Sequence, residues 1–490
     1  MNKKYHSLVL TIFSLLLSSC GNGNTSSNEP EWFFSATLHW QMQDGVKVNQ
    51  GTHQFSDWVI DHDATCVEDG SKSSTCKICH YKKEESLPKT GHSYGEWTTE
   101  GNISTRTCSK CGDVQSVERS ESISFQNPFN GATVDLCHPV IRDLINHKND
   151  DDYVATHLMQ NRTYSSGKSY DYQTYIDINI VDSKARTTTY TLNLATDNEF
   201  TNIIDTYVTK SSSIRLDGIL IPGMTYFYKV ESDDGDYSAI DSFVTKDDSV
   251  RFITCGGVQN VRDIGGRETI DGKHIKYGLV YRGAGLNDGT VSAMDAKSRE
   301  VFNKLGMRGE LDLRENASTL NAWNPSLPHI CVNGGWYTYL YDTQEKIDGL
   351  KQSLIFLSNK NNYPAYFHCT YGMDRTGTLA YILLGLLGVS EADIYLDYEL
   401  TDYSSVAGTS TSHCERAVID PIGQGQYAFN YTASKWSDGE TLRTPVYKCI
   451  NQFKTTYKGE NLQASITKYL LEKVELPQIY IDRLKENLLF

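Results

Sequence analysis

Along the chain the pattern of hydrophobic and polar positions changes texture three times. Leu8–Leu17 is an apolar run of about ten residues behind Lys3 and Lys4, too short to span a bilayer and of the length of a signal-peptide core. From about Ser120 to Thr245, stretches such as Tyr175–Val181, Thr187–Leu194 and Met224–Val230 alternate or carry β-branched and aromatic residues. Turn signals at Pro222-Gly223 and Asp233–Asp236 separate them, which predicts an all-β domain over 119–246. After a polar boundary at Lys246–Ser249, short apolar runs (Leu279–Tyr281, Gly309–Leu313, Tyr366–His368) alternate with helical stretches such as Ser292–Lys304 and Leu379–Leu387. That rhythm predicts an α/β domain over 249–490, a mixed or parallel sheet flanked by helices. The amphipathic tail Leu462–Leu489 predicts two helices broken at Pro477.

The chain has 490 residues, enough for roughly two to four domains. Its 46 Lys and Arg against 61 Asp and Glu give a formal charge of −15, which argues against nucleic acid as the main partner. The apolar leader ends in Leu17-Ser-Ser-Cys20, which resembles the bacterial lipobox. The resemblance implies a lipoprotein signal peptide over 1–20, with Cys20 lipidated as the mature N-terminus. A Gly/Ser/Asn-rich linker over 21–31 would then tether the protein to the extracytoplasmic face of a bacterial cell membrane. An ordinary signal peptide with an incidental Cys is the alternative.

Between 32 and 118 lies a degenerate internal repeat. One copy carries His53–Trp58, Cys66 and Cys76-Lys-Ile-Cys79; the next carries His92–Trp97 and Cys108-Ser-Lys-Cys111. A weaker copy precedes both, with Gln41–Asp44 where a Cys pair would stand. Two C-x-x-C knuckles with neighbouring His look like zinc-ribbon ligands, because a tight turn presents two thiolates to one tetrahedral ion. The first copy offers His53, Cys66, Cys76 and Cys79 as a full set; the second offers His92, Cys108 and Cys111, incomplete unless ligands are shared. The segment resembles Cys/His-containing repeats on surface proteins of Gram-positive bacteria. Structural zinc, disulfides and decayed sites that bind nothing all remain open readings, and a segment this small is expected to need a staple. In the all-β region, Leu220–Val230 resembles the end of a fibronectin type III-like sandwich, where a Pro-Gly turn feeds a Tyr-rich strand. It offers no reactive cluster and reads as a spacer or docking module.

The reactive chemistry concentrates in Ala365–Gly377. An apolar strand runs into Cys369, and Arg375 follows after five intervening residues at the entry of a hydrophobic helix. Such a strand–loop–helix turn aims successive backbone N–H groups and the positive end of a helix dipole at one point. A phosphoryl group there would be held by those amides and by the planar fork of Arg375, and the same field favours a nucleophilic thiolate.

His368-Cys-Thr-Tyr-Gly-Met-Asp-Arg-Thr-Gly377 resembles the signature loop of the protein tyrosine phosphatase superfamily. Asn260–Gly266, Gly278–Gly283, Leu311–Glu315 and Asp397–Thr401 resemble one branch of it, bacterial tyrosine phosphatases with some dual-specificity and lipid phosphatase activity. The resemblance covers nearly all of 250–490. It implies attack by Cys369 on phosphorus, a thiophosphoryl-enzyme, and hydrolysis by water without a cofactor. Thr370, Tyr371, Gly372, Met373 and Arg375 would bind and stabilise the phosphoryl oxygens. Thr376 is expected to hydrogen-bond the sulfur, and His368 to orient the loop or simply pack. Asp374 is the favoured general acid, with Asp312 and Asp263 as alternatives near the pocket. These two, with Arg282 and Arg314, are candidates at the substrate, or else Asp263 and Asp312 hold Arg262, Arg282 or Arg314 as ion-pair partners.

The branch often carries Lys where this chain has Met373, and losing that charge should weaken a preference for multiply phosphorylated substrates. The expected protein is thus a membrane-anchored phosphatase of phosphoproteins or small phosphomonoesters, phosphotyrosine favoured. Alternatives are a phosphoinositide or other small-molecule phosphatase, an inert surface phosphate-binding protein, and a rhodanese-like or arsenate-handling thiol enzyme, which fits the Cys-to-Arg spacing but not the flanking motifs.

Overall fold

The computed structural model describes residues 31–161, 168–185, 188–216, 219–248, 250–287, 292–314, 323–334, 343–408 and 445–490. Cys20, its leader and Glu315 therefore lie outside the described residues. Among the described residues, no helix is long and apolar enough to cross a membrane. The chain divides into two compact units, one ending at Val117 and one running from Glu118 to Phe490.

The first unit is a succession of three-stranded sheets in chain order: Trp32–Phe34, Leu38–Gln43 and Val46–Thr52; Val59–His62, Gly70–Thr75 and Lys82–Leu87; Thr98–Glu100, Ile103–Thr107 and Val114–Glu118. Among the described residues no aliphatic side chain larger than alanine and no Phe, Tyr or Trp is buried here; Cys66, Cys76, Cys79 and Cys108 are, together with His39, Gln41 and three serines. Hydrophobic burial alone is a weak source of stability for sheets this small.

In the second unit, Ile123–Phe125, Ile176–Asp182 and Ser213–Leu216 form one sheet. The other joins Ala132–Val134, Asp241–Thr245, Thr225–Ser232, Tyr190–Ala195 and Ile203–Thr209 in that order. Alternate residues of Thr225–Ser232 point inward, so Tyr226, Tyr228 and Val230 meet Ile178, Leu192, Ile214 and Phe243 in one core. The all-β expectation needs one correction. Two helices, Pro139–Asn146 and Asp151–Asn161, interrupt the strands. His138 caps the first through Val140 N–H, Pro139 stands in its first turn, and Ile141 and Leu144 supply a buried stripe. That stripe packs on Leu396, Leu400 and Tyr403 of the following region, so the helices serve the neighbouring domain rather than the sandwich.

The α/β region carries a sheet ordered Arg262–Asp263, Val280–Gly283, Ala365–His368, Gly309–Asp312, His329–Cys331. The first strand is antiparallel and the other four are parallel. Helices Gln344–Ser358, Asp374–Leu387, Leu462–Glu472 and Gln478–Leu488 contribute to the principal core, and the last two lie on either side of Pro477 as the amphipathic pattern predicts. The helix Asp374–Leu387 is buried on nearly every face, which explains a run of Leu, Ile, Ala and Tyr without polar relief. Arg251 ties sandwich to sheet: it donates to the carbonyls of Ile219 (2.7 Å) and Leu220 (2.9 Å) and pairs with Asp263 at 2.9 Å.

Candidate active site

Three parallel strands end side by side, with Gly283 and Asp312 both in register with His368. Cys369 is the next residue, at the carboxyl end of the middle strand, where open α/β sheets place their ligands. It is almost fully enclosed. Leu313 N–H donates to the His368 carbonyl at 2.9 Å and Gly285 N–H to that of Thr370 at 3.0 Å, fixing the loop between its neighbours. The following helix starts at Asp374, and Met373 at its N-cap makes no side-chain cap. No side-chain acceptor at the cap therefore competes with an anion for the first-turn amides.

The loop's carbonyls are pulled backward. Asn260 Nδ2 donates to Tyr371 O at 3.1 Å and to Gly372 O at 3.3 Å, while Arg282 Nη2 donates to Gly372 O at 2.8 Å. Peptide units whose oxygens point into the protein point their N–H groups the other way, toward the cradle. Gly372 makes this possible. Its φ is +68°, and an added Cβ would sit 2.3 Å from Gly283 C.

Behind Asn260 and Arg282 lies a buried ion cluster. Asp397 pairs with Arg282, with Arg267 at 2.5 Å and with Arg262 at 3.5 Å. Burial opposes ionisation of Asp397, but Arg282, Arg267 and Arg262 outweigh it and hold the carboxyl well below its ordinary range. Arg262 in turn donates to the side chain of Asn260 and to Thr401 Oγ1 at 3.1 Å. Asn260, Arg267, Asp397 and Thr401 were not singled out from sequence as site residues. Their signal is a set of polar side chains inside the flanking motifs or, for Arg267, directly after one, all of them buried.

Arg375 is half-buried and its Nη1 lies 3.4 Å from the Leu313 carbonyl, beside the strand end that contacts His368. Asp312 grips Arg314 with contacts of 2.8–3.1 Å. A Cβ placed on Gly285 would meet Arg314 Nη1 and the Cys369 carbonyl, each at 3.0 Å, so this second guanidinium borders the nucleophile's backbone. Thr370 and Tyr371 are half-buried, whereas Met373 is buried. His368 lies behind the loop: Nε2 meets Glu310 Oε1 at 3.1 Å, and Nδ1 has no hydrogen-bond partner.

Several expected roles change. Asp263 and Arg282 are completely buried and cannot reach a substrate; Asp263 instead accepts from Arg251, Gly265 N–H (2.8 Å) and Gly278 N–H (2.6 Å). It holds Arg251, not Arg262 or Arg282. Thr376 Oγ1 is buried without a hydrogen-bond partner, so the expected bond to the Cys369 sulfur is not formed here. Burial alone would raise the Asp312 carboxyl, but His368 and Arg314 outweigh it and keep it below its ordinary value. An acid held ionised is poorly suited to protonate a leaving group. Asp374, largely buried in the helix's first turn beside Arg375, remains.

In the first unit the thiols and imidazoles fall into two groups that differ from the expected sets. His39, His53, Cys76 and Cys79 converge, as do Cys66, His92, Cys108 and Cys111. Cys66 thus leaves the set with His53, and His39, not anticipated, replaces it. The two C-x-x-C turns were legible as local spacing; the exchanged partners depend on how successive sheets meet.

A buried cysteine at the end of a central parallel strand, an arginine on the adjoining helix and amides turned away from the interior form a candidate site for a phosphoryl group. Residues 253–332 and 335–490 match the tyrosine phosphatase family, so the C-terminal domain is a phosphomonoesterase domain of that family. No curated protein matches the chain. Among solved structures there is a likeness, at 12% identity, to the extracellular domain of a one-component system from B. thetaiotaomicron. It covers 44% of this chain and 29% of that chain with a TM-score of 0.13, too low to carry any argument.

Proposed function

We propose that the protein is a lipid-anchored, extracytoplasmic phosphatase that hydrolyses phosphomonoesters, phosphotyrosine foremost, through a phosphocysteine on Cys369. One observation carries the chemistry. The carbonyls of Tyr371 and Gly372 are drawn back by Asn260 and Arg282, which leaves their loop's amides and Arg375 to receive the phosphoryl oxygens. The Cys369 thiolate forms the S–P bond as the ester P–O bond breaks, and Asp374 gives its proton to the departing oxygen. Water then attacks phosphorus, returns a proton to Asp374, and frees inorganic phosphate and the thiolate. The reaction needs no cofactor.

Met373, buried and uncharged where a lysine would extend the cradle, supports simple phosphomonoesters over multiply phosphorylated ones. The anchor rests on Leu17–Cys20 and the basic, apolar leader before it. The sandwich before the catalytic domain is in our reading fibronectin type III-like, with Tyr226 bonded to the backbone of Ile221 at the Pro222-Gly223 turn. The test is turnover of an aryl phosphate in the presence of a chelator, inhibition by vanadate, and loss of turnover in Cys369→Ser. Turnover that requires added metal and survives that substitution would falsify the reading. Globomycin-sensitive processing and labelling by a fatty-acid probe that disappears in Cys20→Ala test the anchor separately.

A further inference from the structure

From the geometry of the first unit we infer two tetrahedral zinc sites, each built across two successive sheets, so that metal ions lock the three sheets in series. The first site joins His39, on the strand Leu38–Gln43, to His53, Cys76 and Cys79 of the second sheet and its loops. The second joins Cys66, in the loop before the strand Gly70–Thr75, to His92, Cys108 and Cys111 of the third. Each C-x-x-C knuckle thus receives its own histidine and one ligand from the sheet before it.

The distances fit a tetrahedral ion. Zinc–sulfur bonds of about 2.3 Å and zinc–nitrogen bonds of about 2.0 Å set tetrahedral edges of about 3.8 Å between thiolates and about 3.5 Å between thiolate and imidazole. Cys66 and Cys108 sulfurs lie 3.8 Å apart; Cys79 and Cys111 sulfurs lie 3.3 Å from Nδ1 of His53 and His92; Cys76 sulfur lies 3.8 Å from Nδ1 of His39. A disulfide would require about 2.05 Å between sulfurs. An independent observation fixes a tautomer: His53 Nε2 meets the Ser35 carbonyl at 2.9 Å, so that nitrogen carries the proton and Nδ1 presents its lone pair to the thiolates. Both knuckles also share one backbone frame, Cys76 N–H bonding to Tyr81 O at 2.9 Å and Cys108 N–H to Asp113 O at 2.8 Å. The first site is Cys₂His₂ and the second Cys₃His, compositions suited to closed structural zinc.

Full-length protein purified under reducing conditions with zinc supplied, then equilibrated with a competing chelator, distinguishes this wiring from sets confined to one repeat. Elemental analysis should find two zinc per chain, and one in Cys66→Ser. Adding Cys111→Ser should leave one, because both ligands serve the same ion; adding Cys79→Ser to Cys66→Ser should leave none. Cobalt substitution gives a second readout: the ion kept by Cys66→Ser should show the weaker charge-transfer absorption of two thiolates, and that kept by His39→Ala the stronger absorption of three. Retained aryl phosphatase activity checks that the chain is intact. Sets confined to one repeat predict the opposite result for the two double variants, and that result, fewer than two zinc in the unaltered chain, or loss of both ions in Cys66→Ser alone overturns the proposal.

Discussion

Arg282 donates through Nη2 to the carbonyl of Gly372 at 2.8 Å, joining the middle of a strand to the one loop residue with a left-handed backbone. The contact closes only because Gly372 has no side chain. An added methyl group would overlap Gly283 C at 2.3 Å and Gly283 O at 2.4 Å. Gly372→Ala should therefore shift the loop amides and lower kcat by about 100-fold or more, the scale expected of a misplaced cradle. Overpacking and the unfavourable φ should also cost about 1–3 kcal/mol of stability. Single-turnover kinetics beside chemical denaturation would separate the two. A variant that folds with unaltered kcat would show that the amide positions do not matter.

Among the described residues, Asp397 is the carboxylate that pairs with Arg262, Arg267 and Arg282. Asp397→Asn should cost about 3–5 kcal/mol, because it leaves buried guanidiniums uncompensated. The pH dependence has a definite sign. The folded-state carboxyl is held below the ordinary range by the arginines, so its stabilisation is full above about pH 4 and is lost as the pH falls toward the folded-state value. Urea midpoints at pH 7 and pH 3 should thus converge between wild type and Asp397→Asn in acid. A constant difference across that range would contradict the assignment.

A carboxylate outside the family-matched region also reaches this machinery. Asp171 Oδ2 accepts from Ser404 Oγ at 2.7 Å and from Asn260 N–H at 3.3 Å, and Asn260 grips the loop carbonyls. Asp171→Ala should lower kcat several-fold with little change in KM, since it loosens a positioning residue and touches no substrate. Asp171→Asn, which keeps an acceptor, should recover most of the loss. Equal kcat in all three proteins would confine Asp171 to stability.

The alternation of short strands and helices, the two tail helices around Pro477 and the Cys369–Arg375 loop were legible in the sequence because each has a local signature: period, proline and spacing. The helices Pro139–Asn146 and Asp151–Asn161 were not. Their apolar stripe is short and its burial comes from Leu396, Leu400 and Tyr403, some 240–260 residues away in sequence. The same limit misassigned Asp263 and Arg282. A motif places them near the loop, but only packing decides whether a charge faces the pocket or, as here, the interior.

Asp374 and Asp312 are separated by what surrounds them. Asp312 is held ionised by His368 and Arg314, while Asp374 stands in the loop helix's first turn next to Arg375. Asp374→Asn should lower kcat for alkyl phosphates and phosphotyrosine by about 100- to 10,000-fold, the range of a lost general acid. For an aryl phosphate whose leaving group departs without a proton it should spare kcat/KM and lower kcat only through hydrolysis of the phosphocysteine, and the basic limb of the kcat/KM–pH profile should disappear. Asp312→Asn should keep the shape of that profile and lose stability instead, because Arg314 and His368 lose a buried partner. The discriminating measurement is kcat/KM against leaving-group pKa in both variants. A steepened dependence in Asp312→Asn with none in Asp374→Asn would move the acid role to Asp312.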